Sequence, residues 1–508
     1  MQIKNKNLPV FIFLALFIFS RLYAKEKGLL NYSGKIGARL ESNVSEFYYL
    51  PETYASTYFS FNLSAGLIGL NLNGELSTSE RRFSPELIKK LGISPSIGCL
   101  HLDLGDHYPR YSNLVMSGAK VRGVSFLLDP GKFIFGLTGG RVRVGGADKD
   151  GAYRREAYGM QLGVKAKKFE LISQFSRFND LPSKIDSIYT PQESITGGLS
   201  TKLVLPGNIR LQGEAGVSLH TRDKKSQKLD TTFNFQGVDL EDLGFTPRIS
   251  SRADYAYKYN ILIPIKFLQF IYQRDYRGPG FQTLGTPYLK NDILKDIFRA
   301  NINLFRGKFF TTLMYLNQEN NLNNEKSNQT IMDHYSLSTR IRPIRFFSIR
   351  GRYSNLIREI SDTLRAMRYK KDAFTISPEF QINIGSIKNK ISFSYGSNQS
   401  KYRDNQYQTE TIGIRYTGRI DRGLSFYADM NSSDYGRIKR NSYTLGATKN
   451  FPQKKASVSA KIGLGDKKDS NISGNIMLPG DFRLNTSISF FRLSRYTLRY
   501  RINIVRNF

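Results

Sequence analysis

Apolar and polar positions alternate along most of the chain. Between residues 335 and 341 the odd positions are Tyr, Leu, Thr and Ile, while the even ones are Ser, Ser and Arg. The same period of two recurs at residues 298–304, 347–353 and 482–490. Successive side chains of a β-strand point to opposite faces, so the pattern predicts strands with one apolar and one polar face. A helix is predicted at residues 84–91, where Ser84 is the cap and Pro85 takes the first helical position.

The lengths of these segments and of their connections predict the fold class. The segments span about 11 to 15 residues, whereas a soluble strand has about 5 or 6 and a tilted membrane strand needs about 9 to 11. Very short connections, such as Leu205-Pro206-Gly207 and Arg306-Gly307-Lys308, alternate with long polar ones, such as residues 221–250. We therefore predict an all-β fold, a transmembrane antiparallel up-and-down β-barrel of about 24 strands, with 22 to 26 allowed.

The C-terminal segment provides an independent indication. Tyr500, Ile502 and Ile504 share one face of the last predicted strand, and the chain ends on Phe508. This arrangement resembles the closing-strand signal of outer-membrane β-barrel proteins, and Arg506 departs from it because that position is normally apolar. The resemblance implies that outer-membrane lipid and the barrel-assembly machinery are partners of the chain.

The N-terminus has the pattern of an export signal. Lys4 and Lys6 precede an apolar run at residues 10–19, and a short polar stretch ends at Ala24. The run is too short for the roughly 20 residues that span a bilayer, so residues 1–24 are predicted to be a signal peptide and not a retained anchor. Residues 25–508 then form a single barrel located in the cell outer membrane.

The charge balance bears on the interior of that barrel. The chain has 75 Lys and Arg against 42 Asp and Glu, a formal net charge of +33. An Arg on the lipid face at the bilayer midplane would cost about 2 to 4 kcal/mol, so arginines on the polar faces are predicted to point into the lumen. An alternative is that basic residues at the two rims meet lipid phosphates. The lumen-facing basic candidates are Arg299, Arg340, Arg342, Arg350, Arg352, Arg415, Arg483, Arg499 and Arg501.

These features predict a conduit with a basic lumen for anionic solutes, because rings of Arg and Lys select anions. The alternative is a structural or secretion-related barrel that holds a partner protein or polymer and has no free pore. Nucleic acid, the usual partner of a basic protein, is excluded by export.

Two segments stand out from the strand pattern. The first is Gly105-Asp106-His107-Tyr108 followed by residues 117–124, and the second is residues 277–288. Both resemble segments of large, porin-like barrel proteins of Gram-negative envelopes. The order Gly105-Asp106 and Arg122-Gly123 is also distantly similar to pilus ushers, although the chain is too short for an usher's barrel together with its periplasmic domains. Residues 78–113 are a candidate inserted loop or plug.

The second segment is predicted to be an ordered loop. Gly278, Gly280 and Gly285 allow positive φ angles, and Pro279 and Pro287 stiffen the backbone. A long loop of fixed conformation is a candidate for folding into the lumen and narrowing it. The alternative is a rigid surface turn.

Catalytic and metal sites are not predicted. The histidines are His101, His107, His220 and His334, and their spacing suggests no metal site and no cofactor. Asp333 precedes His334 in a strand, where neighbours point to opposite faces, so it cannot orient that imidazole. The single Cys99 is predicted to be a small buried residue. We therefore expect no enzymatic activity.

Overall fold

The structure is a computed structural model. It describes residues 31–45, 53–77, 88–142, 154–181, 190–229, 234–235, 238–239, 244–362, 366–402, 405–420, 423–434, 439–451, 456–465, 468–478, 482–492 and 496–507. The predicted signal peptide and Phe508 lie outside these ranges. Within them, no helix has the length and apolar character needed to cross a membrane.

Within the described ranges the chain is built almost entirely of β-strands. The first part contains β1 (Asn31–Ser45), β2 (Thr53–Ala65), β3 (Ile68–Ser77), β4 (Ile88–Ile97), β5 (Leu100–His107), β6 (Val121–Leu128), β7 (Phe133–Val142), β8 (Arg154–Ala166), β9 (Phe169–Leu181), β10 (Glu193–Leu205) and β11 (Ile209–Thr221). A small hairpin of β12 (Asn234–Phe235) and β13 (Val238–Asp239) follows within a long connection. Single turns of 3-10 helix lie at Pro206–Asn208 and Phe305–Gly307.

The second part of the chain continues the same wall. Its strands are β14 (Ser251–Ile265), β15 (Leu268–Arg277), β16 (Ile293–Leu304), β17 (Phe309–Asn320), β18 (Asn328–Ile344), β19 (Phe347–Asp362), β20 (Met367–Ile384), β21 (Ile387–Tyr402), β22 (Asn405–Ile420), β23 (Leu424–Asp434), β24 (Lys439–Phe451), β25 (Ala456–Gly465), β26 (Lys468–Leu478), β27 (Phe482–Arg492) and β28 (Tyr496–Asn507).

All strands except β12 and β13 join one closed 26-stranded sheet. Each pairs antiparallel with the next, β11 pairs with β14, and β28 pairs with β1 to close the wall. The count is the upper limit of the predicted range. Strands spaced about 4.8 Å apart and tilted by about 40° make such a wall roughly 160 Å around, so its lumen is too wide for wall side chains alone to fill.

A hydrogen bond reinforces the seam where the first and last strands meet. The Tyr58 hydroxyl on β2 reaches across β1 and donates to Asn503 Oδ1 on β28 at 3.2 Å. The strand between them has Gly37 at the crossing point, where an added Cβ would lie only 2.3 Å from the Tyr58 ring. The absence of a side chain at Gly37 therefore lets the seam be bridged over β1.

The connections divide into two kinds, as predicted. Short turns such as Lys266–Phe267 join strands at one end of the wall, and long connections such as residues 222–250 join them at the other. Several short turns contain residues with positive φ, including Gly207 at 72° and Arg306 at 55°, which suits the twist of tight hairpins. The start of β1 and the end of β28 both lie at the short-turn end.

The helix predicted at residues 84–91 is wrong over its described part. Ile88 to Leu91 form the start of β4 and pair with β3. Local capping signals at Ser84 and Pro85 are weak preferences that sheet pairing overrides. Of the stretch 78–113, residues 88–97 and 100–107 are wall strands, and the chain leaves the wall at Tyr108.

The outer surface of the wall exposes large apolar side chains. Leu162, Leu313, Ile412 and Leu445 have relative exposures of 56, 45, 56 and 54%. Stacked rings form a row across β15 to β18, with centroid distances of 4.5 Å for Tyr272 and Phe298 and 4.7 Å for Tyr315 and Tyr335. This is the reverse of a soluble protein, whose apolar side chains lie inside.

Four glycines lie side by side across neighbouring strands and form a crease in the wall. Gly92, Gly105, Gly123 and Gly140 are direct partners on β4, β5, β6 and β7. A Cβ at Gly123 would lie 2.0 Å from the Gly139 carbonyl oxygen, and one at Gly140 would lie 2.6 Å from that of Arg122. The neighbouring backbones therefore approach more closely than any side chain would permit.

An ion pair fixes the crease on its long-loop side. Asp106 accepts hydrogen bonds from Arg122 Nε at 2.8 Å and Nη2 at 3.1 Å, and from the Leu91 backbone N–H at 3.0 Å. Gly105 takes a φ of 86°, which lets β5 kink immediately before Asp106. The sequence motif of Gly-Asp and Arg-Gly thus shapes the wall at the point where the chain turns into the lumen.

Candidate functional site

Among the connections that the structure describes, two at the long-loop end fold back into the barrel. We call residues 108–120, between β5 and β6, the first inserted segment, and residues 278–292, between β15 and β16, the second inserted segment. Both pack against the inner face of β8 to β11 and β14. The lumen is therefore narrowed on this side of the barrel.

Local hydrogen bonds give the first inserted segment its shape. The Ser112 carbonyl accepts the N–H groups of Val115 and Met116 at 3.0 and 3.1 Å, and its hydroxyl accepts that of Leu114 at 3.1 Å. Such a Ser-centred turn competes well with extended structure. It turns the apolar side chains of residues 114–116 toward the wall.

The second inserted segment is a loop whose two ends are joined. Gly278 accepts the N–H groups of Phe281 and Asp292 through its carbonyl oxygen, at 3.1 and 3.2 Å. Asn291 Nδ2 donates to the Pro279 carbonyl at 2.8 Å, and the Gly280 N–H donates to Asp254 Oδ2 on the wall at 2.8 Å. The loop thus holds its conformation through contacts that the sequence pattern does not reveal.

The glycines of this loop act differently from the prediction. None of Gly278, Gly280 and Gly285 has a positive φ. A Cβ at Gly278 would lie 2.2 Å from the Asp254 carboxylate, and one at Gly285 would lie 2.6 Å from the Val115 carbonyl oxygen. These glycines are needed because other groups approach them closely, and the expectation of positive φ was wrong.

The two inserted segments bind each other directly. The Ser117 N–H donates to the Gly285 carbonyl and to Thr286 Oγ1, both at 3.0 Å. Thr283 Oγ1 donates in return to the Val115 carbonyl at 2.8 Å. The two segments are therefore one hydrogen-bonded unit.

Apolar contacts seal the segments to the wall. Val115 and Met116 are fully buried together with Phe178 of β9 and Ala157 of β8. Burying a side chain of this size contributes about 1.5 to 3 kcal/mol. A second cluster joins Leu114 and Phe281 to Ala256 of β14.

The wall beneath these clusters is lined with residues that have little or no side chain. A Cβ at Gly198 would lie 2.4 Å from Val115 Cγ2, and one at Gly159 would lie 3.0 Å from the Tyr111 ring. A Cβ at Gly216 would lie 3.4 Å from Leu114 Cβ. The inner face of β8 to β11 is thus a shallow depression that fits the inserted segments.

Polar wall residues hold the backbone of the segments. Gln174 Oε1 accepts the Ser112 N–H at 2.7 Å, and Glu214 Oε2 accepts the Ser112 hydroxyl at 2.8 Å. The Leu284 N–H donates to Ser194 Oγ at 3.2 Å. The roles of these residues are not visible in the sequence, because the alternating pattern does not distinguish a polar residue that binds a loop from one that faces water.

The next arc of the wall, from β16 to β22, has a basic inner face. The continuous register places the following residues on the same face of the wall as Ala256 and Phe178: Arg299, Arg340, Arg350, Arg352, Arg415, Arg483 and Arg501. The predicted lumen candidates Arg299 to Arg415 thus follow one another around β16 to β22.

Like charges meet on this face near its short-turn end. Arg340 of β18 and Arg350 of β19 are direct cross-strand partners, and Arg352 lies two residues further along β19. Two carboxylates offset part of this charge: Glu379 lies 2.9 Å from Lys390 Nζ and 3.8 Å from Arg350 Nη2. Arg415 Nε donates to Asp429 at 3.0 Å.

The other predicted residues are placed less centrally. Arg342 is exposed at a register irregularity near the short-turn end of β18. Ile502 is exposed on the outer face, and Arg506 stands 5.1 Å from the Phe482 ring centroid, a cation–π contact. The side chains of Arg499 and Tyr500, like Phe508, lie outside the described ones.

Neither His–Asp pair considered in the sequence forms a dyad. Asp333 accepts hydrogen bonds from Tyr315 and Asn317, at 2.9 and 3.0 Å, on the outer face. Asp106 is bound by Arg122, and His107 Nδ1 lies 3.0 Å from the Gly105 carbonyl oxygen. In the part of the chain that the structure describes, no group of three His, Cys, Asp or Glu could hold a metal ion.

Comparison with known proteins places the fold. No protein-family model matches the chain, and no curated protein matches it. A chain of the E. coli P pilus tip assembly intermediate PapC-PapD-PapK-PapG has a TM-score of 0.50 at 10% identity, over 94% of this chain and 60% of that one. The fold is therefore that of large outer-membrane barrels, as predicted.

Two further solved structures align over most of the chain with lower scores. The P pilus usher translocation pore gives a TM-score of 0.36 at 12% identity, over 94% of this chain and 99% of that one. The outer membrane transporter YddB from Escherichia coli gives 0.42 at 10%, over 94 and 81%.

Proposed function

We propose that this chain is an outer-membrane conduit whose basic inner face favours anionic solutes and whose lumen is narrowed by the two inserted segments. The observation that carries the proposal is the cross-strand pair Arg340 and Arg350 on the inner face. Like charges directly opposite each other destabilise a sheet, so their placement requires a compensating role. Attraction of anions is such a role.

The apolar side chains on the outer face of the wall support a location in the membrane. Exposed residues such as Leu162, Ile412 and Leu445 would lie in water at a large cost, whereas in acyl chains they are favoured. A closed wall also pairs the backbone groups that hydrocarbon would leave unsatisfied. With the short turns in the periplasm, the long connections lie outside the cell.

The exposure of the arginines supports attraction of anions over a purely structural role. The side chains of Arg350 and Arg415 are 57 and 61% exposed although each contacts a carboxylate. Partly exposed guanidinium groups keep their charge and donate bidentate hydrogen bonds to carboxylates and phosphates. The inner face can therefore bind passing anions without an added cation.

The proposal is tested by reversal potentials of the purified protein in planar bilayers under a KCl gradient. We expect anion preference at about 0.1 M salt, where charges act over about 10 Å, and little preference at about 1 M, where they act over about 3 Å. The variant R340Q/R350Q should lose most of the preference. R274Q is the matched control, because Arg274 lies on the outer face opposite Asp296.

Other outcomes decide between the proposal and its alternative. An unchanged anion preference in R340Q/R350Q would contradict the role of this pair. Absence of conductance both in the wild type and in a variant with loosened inserted segments would favour a barrel that holds a partner protein or polymer. The assembly signal at Ile502 and Ile504 and binding of the assembly machinery remain part of the proposal.

A further inference from the structure

A polar cavity lies beneath the start of the first inserted segment. It has a volume of about 360 Å³ and is bounded by the inner face of β3 to β8 and by residues 108–111. It is separate from the basic inner face of β16 to β22. Ligand pockets in proteins usually measure about 300 to 1,000 Å³, so the cavity is large enough for a small solute.

The lining is rich in groups that both donate and accept hydrogen bonds. The wall contributes Ser94, Ser96, Ser125, Gln161 and the imidazole of His101, and the charges of Asp103 and Arg110 are opposite in sign. Each hydroxyl or amide offers a donor together with an acceptor. Such a lining is poorly suited to an apolar ligand, and Asp103 disfavours an anion.

The roof of the cavity is held in place. The Tyr111 hydroxyl donates to Thr138 Oγ1 at 3.2 Å, and Thr138 also contacts Ser125 Oγ at 3.0 Å. Burial raises the pKa of the Tyr111 phenol, so it remains a neutral donor. The neighbouring Ser112 is tied to Gln174, which keeps residues 108–111 over the cavity.

An aromatic ring stands at the edge of the cavity. Tyr108 is 54% exposed and lines the cavity together with the hydroxyl and amide groups. A ring next to such groups combines an apolar surface with hydrogen-bond partners. A saccharide presents the complement, because its C–H face packs on a ring while its hydroxyls donate and accept.

We propose that this cavity binds a small neutral saccharide. Asp103 would accept hydrogen bonds from a pair of sugar hydroxyls, Arg110 and Gln161 would bind others, and Tyr108 would pack on the ring face. The site lies along the lumen, so it rests on the proposed conduit only for its route of supply. It does not depend on the anion preference.

The absence of Trp from the chain permits a direct test. The variant Y108W has one Trp in 508 residues, located at the edge of the cavity. The full-length protein in detergent is titrated with maltose, sucrose and lactose, and with inorganic phosphate as the anionic comparison. We expect a saturable change in Trp fluorescence with at least one disaccharide and none with phosphate.

Two controls complete the design. Y288W puts the only Trp on the second inserted segment, at a site that is 89% exposed and away from the cavity, and should not respond. D103N in the Y108W background should weaken binding by about tenfold or more, since a hydrogen bond to a charged group is stronger than one to a neutral group. If D103N does not fold, S96A serves as the second variant.

The proposal is overturned if none of the three disaccharides changes the Y108W signal well above millimolar concentration, if phosphate alone does so, or if D103N and S96A bind as tightly as Y108W. The reversal-potential experiment is independent of these results. Loss of anion selectivity there would leave the saccharide site standing, and failure here would leave the basic inner face standing.

Discussion

The depression in the wall at Gly198 offers the sharpest test of the narrowed lumen. Replacing this residue by Ala adds a methyl group 2.4 Å from Val115 Cγ2 and 3.2 Å from the Ala215 carbonyl oxygen. Carbon atoms in favourable contact stand about 3.5 to 4.0 Å apart, so Val115 must move by about 1 Å or more. Its carbonyl is bound by Thr283 and Ser176, which resist that movement.

The expected cost follows from the tight packing. Overpacking of a buried site typically costs about 1 to 3 kcal/mol. The wall can keep its strand pairing while the inserted segments move away. We therefore expect the substitution to destabilise mainly the closed arrangement, in which the segments pack against the wall, and to affect the stability of the barrel itself much less. A shift of that size raises the population with detached segments by about 5- to 150-fold.

The matched control is the adjacent glycine. Gly197 lies on the outer face, and a Cβ there would have no atom within 4 Å. G197A and G198A therefore make the same change in the same strand with different surroundings. Conductance in planar bilayers and protease cleavage within residues 108–120 should rise in G198A and stay at the wild-type value in G197A.

A compensating change strengthens the test. V115A in the G198A background removes the methyl groups that clash, so it should restore part of the closed arrangement. The reasoning is refuted if G197A and G198A behave alike while both keep the heat-dependent gel mobility of a closed barrel. It is also refuted if G198A conducts and is cleaved like the wild type.

The remaining predictions concern the loop ends and the crease. Burial raises the pKa of Asp292, but the Lys326 ammonium and the Leu322 N–H outweigh it and hold the pKa below its ordinary value. The stabilisation is therefore present above pH about 4 and is lost as the pH falls further. The protection factors of the amides in residues 278–291, that is, the intrinsic exchange rate at each pH divided by the observed rate, should fall in acid in the wild type. The variant D292N, in which Asn tolerates the φ of 58°, should show low protection factors already at neutral pH and lose the acid dependence. The variant G123A should reduce the yield of folded barrel, because the added Cβ would lie 2.0 Å from a carbonyl oxygen. The control G139A should fold normally, because its added Cβ would meet only the Tyr158 ring at 3.7 Å. Equal yields of the two variants would contradict the close backbone approach at the crease.

The strands were predictable because alternation is imposed by geometry at every residue. The runs around Tyr335, Phe347 and Phe482 became β18, β19 and β27 with the expected faces. Prediction was poorer for β4 and β5, where glycines interrupt the pattern. The structure there depends on how closely the backbones of neighbouring strands approach each other at the crease. The sequence of one strand alone does not show this.

The inserted segments were predictable only in part. Prolines and glycines indicated an ordered loop at residues 278–287, but periodicity carries no information about where a loop folds. The glycines turned out to be required by Asp254 and Phe178, residues far away in sequence. Long-range contacts of this kind become visible only once the wall brings the strands together.

The seam between β1 and β28 also constrains how the barrel assembles. Tyr58 and Asn503 stand 445 residues apart in the chain, so the strands that must finally join are the earliest and the latest to be synthesised. Until then one edge of β1 has no partner strand, and a strand of another unfolded polypeptide could pair with it. The edge of β1 must therefore be kept from pairing with other chains until β28 has been synthesised. The yield of folded protein then depends on whether the barrel closes before β1 pairs with another molecule.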